Sequence, residues 1–155
     1  MKAFVYFNLH TGLWSVKALD GFLKGKVVGH AYNIRLTDAE FRVSEAGRQR
    51  VLKEQKKNVH AGVVGTIAGI KWSDIRYEWN EDDYPGLWDL DYPEDNDLYE
   101  KWIQNWDIVD DAQMITYNPY KYSTFVDVKT KEPVHESSQV WMTMDYTGRS
   151  SVHAI

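Results

Sequence analysis

Cysteine is absent from the 155-residue chain, and this absence excludes several kinds of chemistry. Without thiols the chain forms no disulfide, no thiolate metal site and no cysteine nucleophile. No apolar run is long enough to predict a membrane-spanning helix. The first residues lack the basic region, apolar stretch and small-residue cleavage pattern of a secretory signal. We therefore expect a cytosolic protein that does not enter a membrane.

The composition predicts one globular domain. The chain is 43% hydrophobic and 26% charged, which is near the average of globular proteins and provides enough apolar side chains for a core. Its length also favours a single domain spanning residues 1–155.

The net charge of −5 conceals a strong segregation. Residues 1–72 carry 12 Lys and Arg against 5 Asp and Glu, whereas residues 73–111 carry 2 against 14. Residues 112–155 carry 4 against 4. We interpret these as a basic part, an acidic insertion and a C-terminal β part. The basic and acidic parts either dock on each other, face different partners or mediate head-to-tail homo-oligomers, and the sequence leaves these alternatives open.

Alternating apolar and polar residues predict β-strands along most of the chain. Residues 3–9 and 14–18 flank a turn and predict a hairpin. A second alternation covers residues 28–36, and a turn at Thr37 and Asp38 then leads to a short strand. The glycine-interrupted run 59–70 predicts a buried strand or a tight hairpin with bulges. Further strands are expected at 114–117, 124–128, 140–144 and 151–155.

A helix is expected over residues 44–57. Ser44 is the predicted N-cap, and Lys56 and Lys57 suit the C-terminal end of the helix dipole. A second helix is expected over residues 94–106. The expected fold is therefore α+β, a mostly antiparallel β-sheet of hairpins with one basic helix and an acidic, aromatic-rich insertion.

The basic helix is the main candidate for binding a phosphate-bearing ligand. Its cations can neutralise phosphates, and Asn58 and His60 can add hydrogen bonds. Trp14 or Tyr32 would stack on a base. The alternative is a helix face that is only solvated or docks on the acidic part. The candidate ligand-binding residues are Arg48, Arg50, Lys53, Lys56, Lys57, Asn58 and His60.

The acidic insertion offers a second, partner-binding surface. Its carboxylates, interleaved with aromatic residues, would imitate the charge density of a nucleic acid and compete for a binding groove. The alternative is a solubilising loop. The residues nominated for this surface are Asp82, Asp83, Trp88, Asp89, Asp91 and Asp95.

No motif in the sequence argues for an enzyme. The glycine run is followed by no Gly-Lys-Ser/Thr, and it is not a dinucleotide-binding fingerprint. No Gly-x-Ser-x-Gly elbow occurs, and no pair of the five histidines has the i, i+4 metal spacing with a glutamate between. We therefore expect no catalytic residues, no cofactor and no metal.

The stretch from Arg42 to Leu52, continuing from Lys57 to Gly65, resembles a family of small uncharacterised tailed-phage proteins. The opening Val5 to His10 and the later segment 117–126 are similar to the same family. The resemblance implies an accessory or early phage gene product in the host bacterial cytoplasm, and it brings no known activity.

Two functions follow as hypotheses. The first is a non-enzymatic accessory protein, with a host-takeover or anti-defence role, that recognises nucleic acid or a signalling nucleotide through the basic helix. The second is an inhibitor that binds a host or defence protein through the acidic aromatic segment.

Overall fold

The fold is taken from a computed structural model of the full chain. The structure describes residues 1–8, 11–43, 53, 61–77, 79, 83–84, 113–118, 124–134, 136–144 and 150–154. Most of the predicted helix 44–57 and all of the predicted helix 94–106 lie outside these residues.

The described residues form one antiparallel sheet of nine strands in the order β2-β1-β4-β3-β8-β9-β5-β6-β7. No helical element lies among them, so the expected α+β class is wrong and the described part is all-β. The strands are β1 (Lys2–Asn8), β2 (Leu13–Ala18), β3 (Val27–Val43), β4 (Ala61–Ile75), β5 (Gln113–Asn118), β6 (Thr124–Asp127), β7 (Pro133–Val134), β8 (Glu136–Met144) and β9 (Ser150–Ala154).

The predicted N-terminal hairpin is confirmed. β1 and β2 pair in register from Ala3 opposite Ala18 to Asn8 opposite Leu13. The turn between them contains Gly12, whose φ of 69° is accessible to glycine at little cost. The alternation places Ala3 and Val5 in the core and leaves Lys2, Phe4 and Tyr6 on the outer face.

The long β3–β4 ladder corrects a second expectation. The predicted turn at Thr37 and Asp38 is a bulge inside β3, where Asp38 has a φ of 51° and the register shifts between Thr37 and Glu40. The extra residue keeps Ala39 buried and Glu40 exposed, so the apolar face continues across the irregularity. The residues that predicted a turn therefore lie within one continuous strand, so β3 is longer than either of the two strands that the sequence predicted here.

Glycines let β4 lie close to its neighbours. A Cβ at Gly62 would clash with the carbonyl oxygen of Val5 and come within 2.9 Å of the Phe4 ring. A Cβ at Gly65 would lie 2.9 Å from the carbonyl oxygen of Thr37. The predicted buried strand at the glycine run is confirmed, as one strand without a hairpin.

The N-terminal four strands close on themselves. One edge of β3 pairs first with β2, from Val27 to Ala31, and then with β8, from Ile34 to Glu40. Because β2, β1 and β4 connect back to β3, these four strands form a ring around Val5, Val16 and other fully buried side chains. β8 continues the core through Val140 and Met142, and the Phe41 and Phe125 rings lie 4.8 Å apart.

In the part of the chain that the structure describes, no helix is long and apolar enough to cross a bilayer.

Candidate anion-binding groove

The structure does not bring the sequence-predicted ligand-binding residues together. Lys53 is exposed, and the other nominated residues of the basic segment lie outside the described residues: Arg48, Arg50, Lys56, Lys57, Asn58 and His60. Of the two side chains proposed to stack on a base, Trp14 is 3% exposed and packs on Phe7, so it belongs to the core. Tyr32 is exposed, and Lys71 Nζ lies 5.7 Å from its ring centroid.

The acidic nominees are placed only in part. Asp83, which lies within the first third of the acidic insertion, is exposed. The remaining residues of that surface lie outside the described residues: Asp82, Trp88, Asp89, Asp91 and Asp95.

A groove of about 440 Å³ opens on the outer face of the N-terminal ring of strands. Its floor is apolar, and three cationic side chains reach it from three different strands. The lining residues are Lys2, Phe4, Lys17, Leu19, Arg42 and Val64. We call this the cationic groove.

Strand register explains why these residues meet. Lys17 of β2 lies opposite Phe4 of β1, and Phe4 lies opposite Val64 of β4. Val64 in turn lies opposite Glu40 of β3, two positions before Arg42. Residues that face each other across antiparallel strands share one face of the sheet, so this row places its side chains together.

The three cations differ in their partners. Arg42 Nη2 lies 2.9 Å from both carboxylate oxygens of Glu40, and both side chains are about half exposed or more. An exposed pair of this kind adds little stability, about 0–1 kcal/mol, but it orients the guanidinium. Within the described residues, the Lys2 and Lys17 ammonium groups form no ion pair. Among the described residues, the groove therefore combines two ammonium groups that form no ion pair with an oriented guanidinium.

A loop borders the groove at its Leu19 end. The Lys2 N–H donates to Asp20 Oδ2 at 3.1 Å, and the Leu19 N–H donates to the Lys2 carbonyl at 2.9 Å. Asp20 therefore brings one carboxylate close to the cations, although its bond is made to the backbone of Lys2. The loop comprises residues 19–26, and we call it the 19–26 loop.

Tyr84 connects the acidic insertion to the basic part. Its side chain is 3% exposed, and its hydroxyl donates to the Asp20 carbonyl at 3.0 Å and accepts from the Leu23 N–H at 3.2 Å. Burial raises the pKa of Tyr84 above its ordinary value of 10.0. The described contact between the two parts at this point is made by a phenol and backbone groups, so this contact itself places no carboxylate side chain on the cations of the groove.

A second hollow, of about 540 Å³, lies where β3 meets β8 and is acidic. Asp38, Glu40 and Glu136 line it with Ser137 and Ser138. Among the described residues, no group of three or more His, Asp or Glu side chains is arranged to hold a metal ion. The hollow sharpens the charge contrast along the outer face, because Glu40 separates it from the cationic groove.

The His30 and Asp74 side chains are within hydrogen-bonding distance of each other. His30 Nδ1 lies 2.9 Å from Asp74 Oδ1, across the β3–β4 ladder. His30 is 8% exposed and lies opposite Ser15 of β2 on one side and Asp74 of β4 on the other, so it links neighbouring strands.

Sequence reasoning overlooked the groove because it searched for cations on one helix. Lys2 lies immediately before the predicted strand 3–9, and Phe4 lies within it on the same face as Lys2. The hairpin pairing then places Lys17 opposite Phe4. Pairing the two predicted strands residue by residue would have found this half of the groove. Arg42 required the β3–β4 register, which bulges shift four times and no local pattern predicts.

Comparisons with known proteins agree with the resemblance found in the sequence. The family model described as the Mycobacterium phage L5 gene 82 protein matches residues 1–84 and 101–154. The curated gene 82 protein of Mycobacterium phage L5 is 28% identical over 149 residues, which cover 92% of this chain and 90% of that protein. No solved structure matches the chain. The resemblance to a small phage protein family is therefore confirmed, and the chain belongs to the family of the Mycobacterium phage L5 gene 82 protein.

Proposed function

We propose that this phage protein is a non-enzymatic accessory protein that binds a phosphate-bearing ligand in the cationic groove. The ligand class is nucleic acid or a signalling nucleotide. The proposed place of action is the cytoplasm of the infected bacterium, where the ligand belongs to the host or to its defence against the phage. The cations of residues 48–57 remain part of the proposal as further phosphate contacts.

The observation that carries the proposal is the pair of ammonium groups of Lys2 and Lys17, which form no ion pair with a described residue and lie beside Arg42 in the groove. Phosphate oxygens accept hydrogen bonds from ammonium and guanidinium groups, and the charge-assisted bonds are stronger than neutral ones. The chain as a whole carries a net charge of −5, so nonspecific attraction does not favour a polyanion. Binding would therefore depend on the local potential of the groove.

The proposal is tested by reversing two charges in the groove. We expect the double variant Lys2→Glu and Lys17→Glu to lose at least tenfold in affinity for a fluorescein-labelled oligonucleotide, about 1.4 kcal/mol, measured by anisotropy. The matched control, Lys129→Glu and Lys131→Glu, makes the same change in net charge at exposed positions outside the groove. An equal loss in both variants, or no loss in either, contradicts the proposal.

The natural ligand is identified by recovering the protein from infected cells and analysing the bound nucleotides, nucleic acids and proteins by mass spectrometry. A co-purified phosphate compound that is absent from the Lys2→Glu, Lys17→Glu variant supports the groove. A stoichiometric host protein that both forms retain supports the second candidate function.

The second candidate is a protein-binding inhibitor that uses the acidic aromatic segment. It is favoured by the exposed Asp83, next to Tyr84, whose anchored side chain holds the beginning of this segment on the 19–26 loop. Because Tyr84 contributes to packing, deletion of the segment would also remove an anchor. The sharper variant changes the nominated carboxylates to Asn and retains Tyr84: Asp82, Asp83, Asp89, Asp91 and Asp95. Loss of host-protein capture with an unchanged fold would support this function.

A further inference from the structure

The 19–26 loop holds an aromatic side chain in an unusually exposed position. Phe22 is 59% exposed, more than any other large hydrophobic residue of the described part of the chain. Its neighbours Lys24 and Lys26 are also exposed, whereas Leu23 is buried. The loop therefore combines an accessible π face with two positive charges.

Hydrogen bonds fix the backbone that carries Phe22. The Gly25 N–H donates to the Ala18 carbonyl at 2.8 Å, and the Lys24 N–H donates to the Gly21 carbonyl at 3.2 Å. Gly21 and Gly25 have φ values of 72° and 86°, which L side chains rarely adopt. The exposure of Phe22 is thus a feature of an ordered loop.

The Tyr84 ring packs against the 19–26 loop. It occupies the space that a Cβ at Gly21 would need, at 2.6 Å, and lies 5.9 Å from the Phe22 ring. The ring of Phe22 thus has one packed neighbour while most of its surface stays open to solvent. An aromatic platform that is ordered before binding loses little conformational entropy when a ligand stacks on it.

The loop is continuous with the cationic groove. Leu19 lines the groove, and Phe22 follows three residues later, so their Cα atoms are at most about 11 Å apart. Asp20 also joins the loop to Lys2 through the backbone bond already described. A strand whose phosphates lie on Lys2 and Lys17 can therefore present a neighbouring base to Phe22.

We propose that the ligand of the groove is a single-stranded nucleic acid and that Phe22 is its base-stacking platform. The inference rests on the proposed function and deepens it. Single strands are bound by positively charged grooves combined with aromatic side chains, because unpaired bases offer their faces for stacking. Bases inside a duplex are already stacked and cannot use an exposed phenylalanine in this way.

The test compares base-bearing and base-free polyanions. The probes are a labelled single-stranded oligonucleotide, the same strand in a duplex, an abasic strand of equal length and inorganic polyphosphate. We expect Phe22→Leu to weaken binding of the base-bearing strand by roughly fivefold to 150-fold and to leave the abasic strand and polyphosphate unchanged. Tyr77→Leu removes another exposed aromatic side chain, to which no binding role is assigned, and serves as the matched control.

The outcomes separate this inference from the proposed function. Unchanged binding of the base-bearing strand by Phe22→Leu, equal affinity for duplex and single strand, or binding of mononucleotides alone overturns the stacking proposal while the groove remains a phosphate site. Failure of the unmodified protein to bind any of the polyanions overturns both. Thermal unfolding of Phe22→Leu at the midpoint of the parent protein establishes that the fold is intact.

Discussion

At the scale of the residue, Tyr84 is the side chain whose position connects most of the account. Tyr84 is the last described residue in the first part of the acidic insertion. Its ring packs against Gly21, and its hydroxyl forms hydrogen bonds with two backbone groups of the 19–26 loop. Trp79 extends this packing, since its ring lies 6.0 Å from that of Tyr84 and 5.7 Å from that of Trp72. One phenol therefore links the core, the loop and the acidic part.

Removing the Tyr84 hydroxyl is expected to destabilise the fold. Tyr84→Phe leaves the Leu23 N–H and the Asp20 carbonyl without their partner, which costs about 1–3 kcal/mol. Urea denaturation measures this as a lower midpoint with an unchanged slope. Tyr32→Phe, at an exposed tyrosine, is expected to change the free energy of unfolding by less than about 0.5 kcal/mol. Equal stability of the two variants would contradict the role given to the hydroxyl.

His153 is expected to make the free energy of unfolding depend on pH in the acidic range. Its burial lowers its pKa below the ordinary value of 6.5, so the folded state favours the neutral imidazole. The stabilising contribution is complete above pH 6.5 and is lost as the pH falls through the lower pKa of the folded state. His153→Gln should flatten the dependence of unfolding free energy on pH below 6.5. Parallel curves for the variant and the parent, measured by urea denaturation at several pH values, would exclude this assignment.

At the scale of the element, the close approach of β1 and β4 builds the floor of the cationic groove. Phe4 lies over Gly62, where a Cβ would contact both the ring and the backbone of Val5. The Phe4 and Tyr6 rings lie 5.7 Å apart on the same face. The groove thus depends on a glycine in a strand, a position that otherwise weakens a sheet.

Gly62→Ala is expected to disturb this contact. The added methyl group overpacks the contact and destabilises the fold by about 1–3 kcal/mol. Alanine also lowers the entropy of the unfolded chain, which stabilises the fold by only about 0.4–1 kcal/mol, so the net change is destabilising. Chemical denaturation measures the cost. Thr66→Ala changes an exposed residue of the same strand without a clash and is expected to cost less. A Gly62→Ala protein as stable as the parent would refute the close approach.

The sequence predicted the strands better than it predicted the fold class. Alternating apolar and polar residues located the β1–β2 hairpin and most C-terminal strands. It failed at Asp38, where a residue typical of turns occupies a bulge and the strand continues. The groove depends on pairings between distant strands, and local patterns do not contain their register. The nominated cations of residues 48–57 remain a prediction.

At the scale of the whole molecule, an acidic protein presents a local cationic surface. The ring of β1 to β4 bears the groove, and the second hollow places carboxylates of β3 and β8 beside it. Neighbouring potentials of opposite sign favour a ligand that fits the groove and discourage general adhesion to polyanions. Selectivity would then come from the arrangement of charges, since the net charge opposes binding.

The most direct test of this account is the salt dependence of oligonucleotide binding. The affinity of the parent protein should fall linearly on a double-logarithmic plot between about 50 and 200 mM salt, because each neutralised phosphate releases counterions. Lys2→Glu with Lys17→Glu should lower the affinity and make the slope shallower, whereas Lys129→Glu with Lys131→Glu should leave the slope unchanged. Identical slopes for the parent and the groove variant would contradict the central claim that the groove binds phosphate.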